Sequence, residues 1–209
     1  MSAWTPPDRG ACFVVSGASG TGKTTLLRRV FVEVPGLEFS VSATTRSRRT
    51  GEIDGVDYTF VSMEQFLALR ADGALLENAE VYGRYYGTPR APVDAALAEG
   101  RSIVLDIDTQ GAAQVRQSHP EAVHIFILPP SLGAIRARLL ARGTDTVEVI
   151  RRRIAEASDQ LRHCGEYDYL VMNDEIESAV AALAGIVRAE LLRTRRRASW
   201  VRRFHETIA

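Results

Sequence analysis

The segment Gly17-Ala18-Ser19-Gly20-Thr21-Gly22-Lys23-Thr24 constrains this chain more than any other. It satisfies G-x-x-x-x-G-K-[ST] at every fixed position, a pattern whose glycines let backbone N–H groups curl around phosphate oxygens with no Cβ in the way. Lys23 adds a point charge for the outer phosphates, and the Thr24 hydroxyl can ligate Mg2+. The pattern carries meaning only between a strand and a helix, and both are present. Ala11 to Ser16 reads as a short buried strand, and Thr24 to Phe31 as a helix whose N-terminus faces the anion. A ligand with two or three phosphates is therefore expected, on an α/β framework.

The rest of the chain continues that alternation, which predicts a mainly parallel sheet flanked by helices. Ile103 to Asp108 is a buried strand ending in carboxylates. Ala122 to Leu128 is another, stopped by Pro129-Pro130, and Tyr169 to Met172 is a fourth, closed by Asn173-Asp174. Pro92 suits the first turn of a helix running to about Glu99. Ser131 can cap a helix through Ala141, and Asp145 or Thr146 the next. In that next helix Ile150, Ile154, Ala157 and Leu161 form one apolar face.

The stretch from about Glu38 to Arg90 breaks the rhythm. Val56 to Val61 alternates like a half-exposed strand, Ser62-Met63-Glu64-Gln65 is a capping-box pattern, and Val81 to Gly87 is rich in tyrosine and glycine. The expected organisation is a flexible N-terminus (1–10), a core made of 11–37 and 91–209, and an inserted subdomain of short antiparallel strands (38–90).

At 209 residues with 45% hydrophobic composition, the chain can bury one α/β core. Lys+Arg and Asp+Glu both number 26, so no global field favours nucleic acid or an anionic membrane. Met1 to Gly10 is polar and proline-broken, unlike a signal peptide, and no apolar run approaches the ~20 residues of a membrane span. Cys12 and Cys164 read as reduced thiols of a cytoplasmic protein. His119, His124, His163 and His205 lack metal-ligand spacing and read as structural or surface groups. The C-terminal arginines (Arg188, Arg193, Arg195, Arg196, Arg197, Arg202, Arg203) read as a solvated basic helix, with an RNA- or partner-binding tail as the sharper alternative.

Phosphoryl transfer needs an acceptor site as well as a donor site. Ser42-Ala43-Thr44-Thr45-Arg46-Ser47-Arg48-Arg49-Thr50-Gly51-Glu52 supplies three arginines in four residues beside small hydroxyl side chains. Guanidinium forks match phosphate oxygens.

These segments together resemble the guanylate kinases. The matching residues are the phosphate loop at 17–24, Val41 to Arg46, Arg49 with Gly51-Glu52, Gly55 with Asp57-Tyr58, Leu76-Glu77 and Tyr85-Tyr86-Gly87-Thr88. They continue with Leu105 to Gly111, Ile127 to Ser131, Arg138 through Arg142-Gly143-Thr144, Arg153, Tyr167-Asp168-Tyr169, Val171 and Asn173-Asp174. They run in family order over about residues 11–192. The resemblance implies the P-loop nucleoside-monophosphate kinase fold, with an inserted GMP-binding subdomain and a helical lid at about 138–160. It implies Mg2+-dependent transfer of the ATP γ-phosphoryl group to GMP, giving ADP and GDP in purine nucleotide metabolism, and it leaves a homodimer open.

By the same resemblance Ser42, Arg46, Arg49, Glu52, Tyr58, Glu77, Tyr86 and Thr88 line the GMP site, joined by Asp106 and Asp108. ATP falls to Gly17, Ala18, Ser19, Gly20, Thr21, Gly22, Lys23, Thr24, Thr25, Arg138, Asn173 and Asp174. Lys23, Arg49, Arg142 and Arg153 are the catalytic candidates, and Thr24, with Asp106 through water, the Mg2+ candidates. The residue types agree: guanine offers adjacent N1–H and N2–H donors, which one carboxylate such as Glu77 can accept, while Ser42 or Thr88 can donate to O6. Tyr58 and Tyr86 also fit as plain core aromatics, and the Asp106/Asp108 pair as caps of the following helix, with their separate roles open. Arg48 stands where the family more usually has proline, and Arg84 where a smaller polar residue is common. A non-catalytic interaction module and a kinase of the same fold with another acceptor are the competing readings. Intact Lys23, Thr24, Arg142 and Arg153 oppose the first, and Ser42 with Glu77 the second.

Overall fold

A computed structural model describes residues 7–81, 83–141 and 146–208. The core is a parallel sheet of five strands, β1 (Cys12–Gly17), β2 (Leu37–Phe39), β7 (Ser102–Asp106), β8 (Val123–Leu128) and β9 (Tyr169–Met172), in the order β2-β7-β1-β8-β9. The chain therefore switches sides next to β1. In open α/β sheets the crevice at the carboxyl ends of the strands beside such a switch is where ligands sit. Val15 of β1 lies opposite Asp106 of β7, so the phosphate loop and the first carboxylate leave the sheet side by side.

Burial follows from the strands' composition. Phe13, Val15, Val104, Ile125 and Ile127 face one layer of the core. Helices α1 (Lys23–Glu33) and α7 (Ile176–Leu191) cover that layer with Leu26, Leu27, Val30, Val180, Leu183 and Val187. Cys12, Val14, Ile103 and Leu105 face the other layer, closed by α3 (Arg90–Ala98) and α4 (Thr109–Ser118) through Val93, Leu97, Ala112 and Val115. Strands buried on both faces read as continuous apolar runs, which is why β1, β7 and β8 were recognisable in the sequence.

Strand β2 was not expected. It has three residues after Pro35-Gly36, too few to show a period, and it lies at the border where the insertion was placed. The insertion itself carries a four-stranded sheet, order β4-β3-β6-β5, from β3 (Ala43–Thr44), β4 (Thr59–Phe60), β5 (Leu75–Val81) and β6 (Arg84–Pro89), with α2 (Met63–Ala71) against it. Its strands are short as expected, but β3 and β4 pair in parallel. Only Thr59–Phe60 of the expected strand at 56–61 joins the ladder. The carboxylates of Asp57 and Asp54 instead accept the backbone N–H groups of Ile53 and Phe60 at 2.8 and 2.9 Å, side-chain bonds that compete with a ladder. The capping box of α2 forms, with Gln65 N–H to Ser62 Oγ at 3.1 Å and Ser62 N–H to Gln65 Oε1 at 2.8 Å.

The described part of the segment expected as a lid, about 138–160, falls on the end of helix α5 (Leu132–Ala141) and on α6 (Val147–Arg162). Ser131 and Thr146 cap them, accepting from Ala134 and Val149. Ile150, Ile154, Ala157 and Leu161 pack on Ile135 and Leu139, together with Ala18 of the phosphate loop. Asp145 lies outside the described residues.

The basic C-terminal stretch is not one solvated helix. It breaks after α7 into a 3-10 turn (Thr194–Arg196) and α8 (Ala198–Ile208). Arg196 and Arg197 are buried, donating to the carbonyls of Gly10 and Leu191 at 2.8 and 3.0 Å. These bonds also tether the inner part of the N-terminal segment expected to be flexible: Asp8 N–H reaches the Arg196 carbonyl at 2.9 Å. Residues 1–6 lie outside the described residues.

Candidate active site

The phosphate loop joins β1 to α1 and encloses a concavity of about 220 Å3 lined by Gly17 to Thr25. Gly22 precedes the helix at φ +89°, and a Cβ there would stand 2.7 Å from Asn173 Nδ2, so glycine is needed for both conformation and space. The loop is braced from behind. The Thr21 carbonyl accepts Asn173 Nδ2 at 2.6 Å and Arg138 Nη1 at 2.9 Å, and Arg138 Nη2 donates to the Asn173 carbonyl at 3.0 Å. Arg138 and Asn173, expected to touch ATP, thus hold the loop backbone. Asp174 is exposed and accepts the Glu175 N–H at 2.7 Å.

A second cavity, of about 190 Å3, opens between the core and the inserted subdomain, with Lys23, Ser42, Tyr58, Glu77, Tyr86 and Asp106 in its wall. Lys23 lines both cavities. Its Nζ meets Asp106 Oδ1 at 2.6 Å, each side chain about one-fifth exposed (18% and 20%). The wall of the second cavity includes a buried polar group. Glu77 is 4% exposed and accepts the Thr88 hydroxyl at 2.6 Å. Burial raises its carboxyl from the ordinary 4.5 to about 7, against the opposing pull of the Thr88 bond.

The backbone that presents Glu77 is irregular. Between Leu75 and Glu77 the register with β6 shifts, so Leu75, Leu76 and Glu77 are all buried. Bulges re-aim side chains in this way. Leu75 joins the subdomain core with Phe66, Leu76 joins the main core with Leu105, and Glu77 is set opposite Thr88.

Two tyrosines form another part of the wall, with Arg46 packed against them. The rings of Tyr58 and Tyr86 meet edge-to-face at 6.0 Å, and the Arg46 guanidinium lies 5.2 Å from the Tyr58 centroid. Both tyrosines therefore belong to the site wall. Glu52 holds the Arg46 fork in two bonds, 2.7 and 3.0 Å, and also accepts the Arg49 N–H at 2.8 Å. Glu52 is thus a brace, not part of the cavity wall. The hydrogen bond from Arg46 holds its carboxyl below the usual range, and Glu52 in turn raises the Arg46 guanidinium. The Arg49 and Arg48 side chains are exposed on the same loop.

Asp106 and Asp108 both line the cavity but differ in duty. Asp106 pairs with Lys23, while Asp108 caps α4, accepting the Gly111 N–H at 2.8 Å. The capping alternative therefore holds for Asp108. Arg153 is half-buried on α6, and Arg142 with Gly143-Thr144 lies outside the described residues. Ala79, Val81 and Ile107 also line the cavity. They were not identified from sequence, because an apolar wall residue has no signature separating it from core.

Comparison with known proteins bears on this arrangement. The guanylate kinase family model matches residues 9–190. A guanylate kinase of Symbiobacterium thermophilum is 49% identical over 186 residues, covering 89% of this chain and 88% of that one. One of Hahella chejuensis is 50% identical over 185 residues, covering 88% and 89%. The crystal structure of guanylate kinase from Anaplasma phagocytophilum superposes with a TM-score of 0.74 at 36% identity, over 92% of each chain.

Proposed function

The chain belongs to the guanylate kinase family and is an ATP:GMP phosphotransferase; from that premise we propose how its residues divide the work. The observation that carries the proposal is the placement of Glu77, a buried carboxylate in the wall of a cavity that Lys23 also lines. GMP fills this cavity. Its N1–H and N2–H donate to Glu77, and its phosphate lies toward Arg46, Tyr58 and Tyr86, with Arg49 reaching in from the loop. The Thr88 hydroxyl is already engaged by Glu77, which leaves Ser42 as the donor to O6. Adenine would set an acceptor nitrogen against the carboxylate, leaving it unpaired at a cost of about 1–3 kcal/mol.

The Arg46 guanidinium is held before any substrate is bound. Nη1 donates to Ser47 O and Glu52, and Nη2 to Glu52. The Tyr86 hydroxyl is a further hydrogen-bonding neighbour of the same guanidinium. The fork is therefore oriented before substrate arrives, which lowers the entropy lost on binding.

ATP occupies the phosphate loop, with Asn173 and Arg138 fixing the loop from behind and Thr25 and Asp174 at its margins. Lys23, facing both cavities, offsets charge on the phosphoryl group during transfer. A GMP phosphate oxygen attacks the γ-phosphorus in line, and the bond to the β,γ-bridging oxygen breaks to release ADP. No general base is required, because the attacking oxygen is already ionised. Arg153 and Arg142 belong to the segment proposed to close over the transferring group.

The donor set fits Mg2+ carried in on the nucleotide. Among the described residues no three His, Cys, Asp or Glu side chains cluster into a metal cage. The exposed Thr24 hydroxyl and the Asp106 carboxylate are the oxygen donors at the loop, and Mg2+ is commonly held by one or two such groups plus phosphates. When bound, it would neutralise phosphate charge. A cytoplasmic setting belongs to the same proposal, supported by free Cys12 and Cys164. Among the described residues no helix is long and apolar enough to cross a membrane.

A coupled assay with GMP, AMP, CMP and UMP tests the base-reading role. The wild type should prefer GMP, and Glu77→Gln should lower kcat/KM for GMP by roughly tenfold to a hundredfold while leaving the KM for ATP unchanged. Unchanged GMP kinetics in Glu77→Gln would sink this assignment.

A further inference from the structure

Helix α4 runs directly beneath Glu77. Gly111, in its first turn, lies so close that a Cβ built there would stand 2.4 Å from Glu77 Oε2 and 3.0 Å from its Cδ. The Gly111 backbone is helical, a conformation alanine adopts more readily than glycine. The glycine is therefore used for its missing Cβ, which gives the carboxylate a backbone floor.

The next turn fixes the strand. Gln114 Oε1 accepts the Asn78 N–H at 3.0 Å, and Gln114 Nε2 donates to the Asn78 carbonyl at 2.7 Å. β5 is an edge strand of its sheet, so its outward-facing backbone groups have no neighbouring strand. One glutamine amide takes the place of that strand at the residue immediately after Glu77.

Glu77 is thus held on three sides: Thr88 on Oε1, Gly111 beneath Oε2, and Gln114 on the adjoining backbone. The last two belong to one helix, whose cap Asp108 is itself in the cavity wall. We propose that Gly111 and Gln114 are positioning residues that set discrimination among 6-oxopurines by fixing where the Glu77 carboxylate stands. The proposal rests on Glu77 accepting the guanine N1–H and N2–H groups. A carboxylate displaced by a fraction of an ångström can keep the N1–H bond and lose the N2–H bond. The loss then falls on the ligand's 2-amino group and not on binding in general.

The test compares kcat/KM for GMP and for inosine monophosphate, which lacks the 2-amino group. The proteins are full-length wild type, Gly111→Ala, Gln114→Leu, Glu77→Gln and the two double variants, each with a melting curve and a KM for ATP. Gly111→Ala and Gln114→Leu should each lower the GMP-to-IMP ratio about tenfold, the size of one lost hydrogen bond. The KM for ATP should hold. In the Glu77→Gln background neither should lower the ratio further. A wild-type ratio in both single variants overturns the proposal, as does an equal drop with and without Glu77. A wild-type ratio in Glu77→Gln alone overturns the base-reading role on which the proposal stands. Should Gly111→Ala fail to fold, Gln114→Leu carries the same comparison.

Discussion

Guanine binding should lose a proton-dependent factor of about ten between pH 8 and pH 6. The group responsible is Glu77, whose carboxyl is raised from 4.5 to about 7 by burial. Only the ionised form can accept both N1–H and N2–H. With a value near 7, about nine-tenths of the free protein is ionised at pH 8 and about one-tenth at pH 6, so affinity falls about tenfold. Stability moves the other way. The folded value lies above the unfolded one, so the neutral carboxyl contributes stability that is present below 4.5 and lost as pH rises through 7. A difference of ~2.5 units corresponds to about 3 kcal/mol, and a guanine ligand should restore part of it at alkaline pH. Guanosine is the ligand to titrate, by calorimetry, because it lacks the phosphate whose second ionisation falls in the same window. Glu77→Gln should give a flat profile. A flat wild-type profile, or the same slope in Glu77→Gln, refutes the reasoning.

Lys23→Met should lower kcat by roughly a hundredfold or more while changing the KM for GMP far less, measured in the same coupled assay. Equal losses in kcat and in GMP affinity would move Lys23 from transition-state stabilisation to substrate binding. His124 offers an acid-stability test. It is buried in β8, neither ring nitrogen has a hydrogen-bond partner among the described residues, and burial holds it down to about 4 from the ordinary 6.5. Its stabilising contribution is present above 6.5 and lost as pH falls toward and through 4, about 3 kcal/mol in all. Urea denaturation of His124→Phe at a series of pH values should show a shallower decline over that window; an unchanged slope would clear His124 of the role.

The core sheet was legible where strands are long and buried on both faces. β1, β7, β8 and β9 were found within one or two residues, because a continuous apolar run ended by Asp, Pro or Asn has few alternative readings. The inserted subdomain was legible as an interruption but not as a topology. β3 and β4 have two residues each, below the length at which a period can register. Their parallel pairing depends on turns closed by Asp54 and Asp57 side chains. The C-terminal arginines failed for a related reason. A run of arginines looks solvated in sequence, yet the carbonyls of Gly10 and Leu191, brought near by the fold, draw Arg196 and Arg197 inside.

In the site, residue identity was more legible than residue duty. Motif spacing marks which groups carry charge near phosphate, because chemistry dictates their types. It does not say which group each will hold. Glu52, expected against GMP, holds Arg46; Arg138 and Asn173, expected against ATP, hold the Thr21 carbonyl. The pattern is physically coherent. A phosphate-binding loop and a guanidinium fork both accelerate transfer only if they do not reorganise as charge develops. Some of the polar residues that spacing assigns to the ligand are therefore engaged in keeping others still. Gly111 belongs to the same economy: it holds the carboxylate by leaving room for it, and a glycine acting through absence has no chemical signature in sequence.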